Sequence, residues 1–121
     1  MPSPVESAVE TYIRMAGERD PVVRAKLLDA CFAEDGRMVT RSRELRGRKA
    51  LAEMFARAHA DPEFAGVRVI SAIDAQGTTF RYRAVVERRD GTAAESFDAG
   101  EIDADGRISL LLTFAGPLES L

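Results

Sequence analysis

A single cysteine, a single histidine and no excess of basic charge set the first limits on what this chain does. Cys31 has no second cysteine with which to form an intramolecular disulfide. It falls on a helical apolar face with nothing nearby to depress its thiol pKa, so it reads as core filler. His59 alone leaves no His/Cys cluster with metal-ligand spacing, and no metal site is expected. With 17 Lys+Arg against 20 Asp+Glu and a formal net charge of -3, the chain lacks the basic face of a nucleic-acid binder. The local cluster Arg41, Arg43, Arg46, Arg48 and Lys49 is interrupted by Glu44 and has no interleaved aromatics, which marks a solvated surface. No apolar run approaches the roughly 20 residues that span a bilayer. Met1-Pro2-Ser3-Pro4 has neither the basic nor the apolar region of a signal peptide. The expectation is a cytoplasmic protein with no cofactor and with neither nucleic acid nor membrane as partner.

What is present is an ordinary globular balance. Hydrophobic residues make up 45% and charged residues 31% of 121 residues, enough for one core in a single domain spanning 1–121. Val5, Ala8, Val9, Tyr12, Ile13 and Ala16 recur at i, i+3, i+4 and predict a helix over 5–16 that ends at Gly17. Asp20-Pro21 offers an N-cap followed by proline at the first helical position, opening a second helix to about Phe32. Ala33-Glu34-Asp35-Gly36 reads as a turn, and Arg37–Arg41 as a short strand. Gly47 opens a third helix with Ala50, Leu51, Met54, Phe55 and Ala58 on its buried stripe, stopped by Asp61-Pro62.

The rest alternates with period two. Strands are expected over Val67–Ala75 and Thr78–Arg88, the latter with Phe80, Tyr82, Ala84 and Val86 on one face. Arg89-Asp90-Gly91-Thr92 is a hairpin turn. A closing hairpin follows, joined through Asp103-Ala104-Asp105-Gly106. Its first strand places Ala94, Ser96, Asp98, Gly100 and Ile102 on one face, small and uncharged apart from Asp98. A lone acid in the middle of a buried sheet is costly unless it has partners or a task. Either Asp98 faces a pocket, or it is a structural carboxylate bonded to backbone or to Arg81 or Arg83. Helices first and a meander of strands after them make an α+β plan, a curved mixed sheet wrapped as a cone around three helices, with a cavity where apolar side chains converge.

Three motifs in order, Phe32-Ala33-Glu34-Asp35-Gly36, Arg46-Gly47-Arg48-Lys49-Ala50-Leu51 and Asp105-Gly106-Arg107-Ile108, resemble the nuclear transport factor 2-like superfamily with its cystatin-like roll. More narrowly, the chain resembles the branch of SnoaL-like polyketide cyclases and ketosteroid isomerases. In the isomerases a helix tyrosine and a protonated late-strand aspartate form an oxyanion hole, opposite an aspartate base. The resemblance implies that Tyr12 and Asp98 hold the first two positions, and it places the base at Thr40. A threonine hydroxyl is too weakly basic to take a carbon-bound proton, which argues against steroid isomerisation. In the SnoaL-like cyclases a late-strand aspartate is the principal acid/base, again matched by Asp98.

The resemblance therefore implies Asp98 and Tyr12 as catalytic residues, with Met38, Thr40, Met54, Phe55, Tyr82, Leu111 and Thr113 lining a site for a hydrophobic small molecule. A pocket that binds without chemistry is the alternative. The facing of the last strand depends on the turn: Ser109, Leu111 and Thr113 share the Asp98 side if Asp103–Gly106 is the whole turn. If Arg107 joins the turn, Leu110, Leu112 and Phe114 take that side. The resemblance favours Leu111 and Thr113 inside, leaving Leu110, Leu112 and Phe97 as an outer apolar patch through which a homodimer packs sheet to sheet.

Overall fold

A computed structural model describes the whole chain, Met1–Leu121. Helix α1 (Pro4–Gly17) starts where Ser3 Oγ accepts from the Glu6 amide at 3.1 Å, and α2 (Pro21–Cys31) where Asp20 Oδ1 accepts from the Val22 amide at 2.9 Å. Each cap satisfies an amide that the helix cannot, and each is followed by proline, which lacks the amide altogether. The third helix, α3 (Arg48–Ala60), follows the short strands β1 (Phe32–Val39) and β2 (Glu44–Arg46). Strands β3 (Phe64–Val69), β4 (Asp74–Gln76), β5 (Thr79–Arg88), β6 (Ala93–Ile102) and β7 (Ile108–Ala115) complete the chain.

All seven strands join one mixed sheet in the order β2-β1-β7-β6-β5-β3, with β4 also on β5. The β1–β7 pair is parallel and every other pair antiparallel. This is the expected α+β architecture, a curved sheet with its helices on the inner face. Register shifts between Phe32 and Arg37, Phe64 and Gly66, and Glu101 and Ile102 mark where strands bend, because an extra residue increases local twist. The core lies between helices and sheet. Val9, Met15 and Leu51 from the helices meet Phe32, Tyr82, Ile108 and Leu111 from the strands.

Three element boundaries differ from the sequence reading. Ala33–Gly36 is not a turn but the bulged part of β1, where the Gly47 amide donates to the Gly36 carbonyl at 2.8 Å. Strand β2 was not foreseen, because it is only three residues long, with Leu45 flanked by the charged Glu44 and Arg46. It pairs with β1 at the exposed sheet edge, where Arg37 and Glu44 form a 3.1 Å ion pair. The predicted strand Val67–Ala75 is two strands, β3 and β4, both paired to β5 and interrupted where Ser71 Oγ accepts from the Arg83 amide at 2.8 Å. The turns at 89–92 and 103–106 are as expected. Asp90 Oδ1 accepts from the Thr92 amide, and Asp103 Oδ1 from those of Asp105 and Arg107.

Gly100 fixes how closely β6 approaches its neighbours. A Cβ there would lie 2.7 Å from Phe80 Cζ and would also collide with the Leu110 carbonyl oxygen. Backbone cannot yield as a flexible side chain can, so Gly100→Ala is expected to cost about 1–3 kcal/mol, the usual range for overpacking. Urea unfolding followed by circular dichroism measures this.

Candidate active site

Asp98 projects inward from the middle of β6, opposite Tyr82 on β5 and Thr113 on β7. It is 5% exposed, and no cation pairs with it. The two arginines that could have neutralised it point to the other face, Arg81 onto Asp74 at 2.7 Å and Arg83 onto Glu95 at 2.6 Å. Alternation explains this: residues 81 and 83 have the opposite parity to Tyr82, the direct neighbour of Asp98. The structural-carboxylate alternative that invoked those arginines therefore fails.

Asp98 Oδ1, Tyr82 Oη and Thr113 Oγ1 are buried together without a formed hydrogen bond among them. Burial raises the Asp98 pKa above the ordinary carboxylate value. The nearby hydroxyls of Tyr82, Thr113 and Ser96 pull it back down without cancelling the effect. Because the folded pKa exceeds the unfolded one, the neutral carboxyl favours folding. That contribution is complete below the ordinary carboxylate value and is lost as pH rises through the raised one. The Tyr12 and Tyr82 phenols are pushed up as well, by burial first and then by the Asp98 charge, so both remain protonated donors.

Asp98 opens onto a cavity of about 320 Å³ between the helices and the inner sheet face. Tyr12, Met38, Met54, Phe55 and Thr113 line it with Asp98, as the sequence reading expected. Tyr12 meets Phe55 edge-on at 6.0 Å, which fixes one wall. Tyr82 lies behind Asp98, its ring stacked on Phe80 at 6.0 Å, and presents its hydroxyl to the carboxyl rather than a face to the cavity.

Tyr82 is thus one of three expected lining residues that do not line the cavity; the other two are Leu111 and Thr40. Leu111 shares the inner face but is fully buried in the core opposite Gly100. Thr40 does not reach the cavity. Strand β1 ends at Val39, and the Thr40 hydroxyl is engaged by the backbone of Arg43 at 3.2 Å, beside a separate shallow depression. The last strand is also a mixture of the two alternatives: Leu111 and Thr113 face inward, but the bulge at Glu101/Ile102 turns Ile108 inward in place of Ser109.

Sequence reading missed Ser96, Val67, Arg88 and Asp61 as lining residues. Parity carried the signal for two of them. Ser96 precedes Asp98 by one period, and the inward row Tyr82, Ala84, Val86 reaches Arg88 if continued by one more step. His59 stays outside the cavity, with Nε2 2.9 Å from the Ala16 carbonyl oxygen and its ring edge-on to Phe64 at 4.7 Å. Cys31 is buried, which pushes its thiol up to about 12 and leaves it unreactive. No three His, Cys, Asp or Glu side chains come together as a metal-ligating group, and no helix is long and apolar enough to cross a membrane.

No family model matches the chain, and neither does any curated protein. Solved structures do. A protein of the SnoaL-like family from Agrobacterium tumefaciens, named as a candidate isomerase, superposes with a TM-score of 0.83 at 22% identity, covering 92% of this chain and 96% of the other. An NTF2-like protein of unknown function from Exiguobacterium gives 0.69 at 17% identity, covering 92% and 99%. An epoxide hydrolase of the LEH-like type from Mycobacterium tuberculosis gives 0.70 at 17%, covering 93% and 83%. The chain therefore shares the fold of these SnoaL-like and NTF2-like proteins.

Proposed function

We propose that the cavity takes an apolar, carbonyl-containing small molecule and that Asp98 moves a proton on it without a cofactor, as in isomerisation or cyclisation. The observation that carries this reading is a buried carboxyl without a counter-ion, open to an apolar cavity beside a protonated tyrosine. Perturbed acids in clefts are where proton-transfer chemistry concentrates. Of the charged groups that line the cavity, Asp61 and Arg88 pair with each other, which leaves Asp98 as the base.

In this scheme Asp98, as carboxylate, takes the proton from the carbon next to the substrate carbonyl. The electron pair of the broken C–H bond becomes the enolate, whose oxygen accepts a hydrogen bond from Tyr12 Oη. An isomerase returns the proton from Asp98 to a different carbon. A cyclase instead lets the enolate carbon attack a second carbonyl, and Asp98 gives its proton to the new alkoxide. A raised Asp98 pKa suits both halves, since the group must take and then give a proton near neutral pH.

The probe reaction is exchange of the α-hydrogens of 2-tetralone in D2O, followed by proton NMR. The protein is expected to accelerate exchange over buffer, Asp98→Asn to lower the rate by about 10²–10⁴-fold, and Tyr12→Phe to lower it by about 10²–10³-fold. A protein that binds 2-tetralone yet exchanges it no faster than buffer is instead a binding module. One observation favours that second reading: Asp98 and the Arg88-paired Asp61 are the only carboxyl groups that line the cavity, so no second unpaired base faces the ligand.

The outer sheet face supports a homodimer. Phe97 and Phe114 are cross-strand partners there, 37% and 54% exposed, with Leu110 and Leu112 half-buried beside them. Exposed aromatic pairs of this kind are enriched where two proteins meet. Analytical ultracentrifugation at micromolar concentration is expected to show a dimer, and Phe114→Glu a monomer with unchanged circular dichroism.

A further inference from the structure

The inward row of β5 changes character along its length. Phe80 and Tyr82 are buried in the core at one end, and Ala84, Val86 and then Arg88 line the cavity toward the other, all on one side of the strand. Strand rise of ~3.3 Å per residue puts the Arg88 backbone roughly 20 Å from that of Tyr82, the partner of Asp98. The cavity thus has a carboxyl at one end, a guanidinium at the other and apolar surface between them.

The Arg88 side chain is held by one loose ion pair and by no hydrogen bond. Its one charged neighbour is Asp61 at the end of α3, with Nη1 3.6 Å from Oδ2, an ion pair beyond hydrogen-bond reach. It makes no side-chain hydrogen bond, although a guanidinium carries five donors. Asp61 cannot close on it freely, because Asp61 Oδ1 is held by the Glu63 amide at 2.9 Å. About 40% of the Arg88 side chain remains exposed at the mouth. A cation held over an apolar opening by a distant carboxylate, with most of its donors free, is built to accept a planar anion in two-pronged fashion.

We propose that Arg88 is a specificity-determining residue: it binds a carboxylate at the outer end of an elongated apolar ligand whose other end reaches Asp98 and Tyr12. This rests on the reading above that the inner end receives the substrate. The substrate class is accordingly an apolar carbonyl compound that carries one carboxylate, and a neutral analogue of the same shape binds less well.

The test uses 4-(2-naphthyl)butanoate and its methyl ester, which differ in charge but share an apolar body. Titrations are followed by NMR of ¹³C-labelled methionine methyls: Met38 and Met54 line the cavity, whereas a second groove, on the outer sheet face beside Phe97, Phe114 and Leu118, contains no methionine. The acid is expected to shift both methyls and to bind about tenfold or more tightly than the ester, as a charge-assisted contact implies. Arg88→Gln should bring the acid to within about twofold of the ester and leave the ester unchanged. Arg88→Lys, which keeps the charge but not the fork, should recover part of the difference. Equal affinities in the unaltered protein, or a preference that survives Arg88→Gln, would overturn the assignment of Arg88 and leave Asp98 untouched. Failure of both probes to move Met38 and Met54 would remove the cavity as a binding site, and the proposed chemistry with it.

Discussion

The structure turns on the desolvation of one carboxyl group. Asp98 is surrounded by the inner face of a sheet, and the cations that might have neutralised it lie on the opposite face. Taking an ionised carboxylate out of water without a partner is among the largest penalties a fold can carry. The molecule sets three hydroxyls beside it instead of a positive charge; they offset the penalty only in part, so the acid stays titratable. A salt bridge to Arg83 would have held the group ionised and quiet. Strand parity prevents that bridge, and the same parity aims Asp98 at the cavity.

The cavity follows from the way the sheet bends. Bulges in β1, β3 and at the β6–β7 turn curl the strands around α1 and α3, and Gly100 lets β6 lie close against Phe80 and the β7 backbone. Helix α1 contributes Tyr12 and α3 contributes Met54 and Phe55, each from the apolar stripe that also anchors its helix. The residues that build the core are thus continuous with those that line the site. Charged groups enter at two places only, Asp98 inside and the Arg88–Asp61 pair at the rim.

Local rules in the sequence were enough for much of this. The helix start at Asp20, the Asp-Gly turns and the inward row of β5 each depend on neighbours within a few residues, and those were legible. Alternation grouped Asp98 with Ser96, Gly100 and Ile102 on one face, but left open whether that face met a pocket or a neutralising arginine. Features set by distant partners were not legible. Whether Ala33–Gly36 turns or bulges depends on β7 and on the Gly47 amide, and strand β2 exists because β1 offers it an edge. The resemblance placed Thr40 in the cavity, but β1 ends one residue too early for it. The facing of the last strand depended on a bulge that no composition signal announces.

The central claim is that Asp98 is an unpaired, desolvated acid, and a carbon-13 NMR titration of its side-chain carboxyl tests it most directly. Aspartate-labelled protein, with Asp98→Asn to assign the resonance, is expected to show a midpoint above the ordinary carboxylate value of about 3.9. A midpoint at or below that value would mean that water or a hidden cation stabilises the charged form, and would contradict the account.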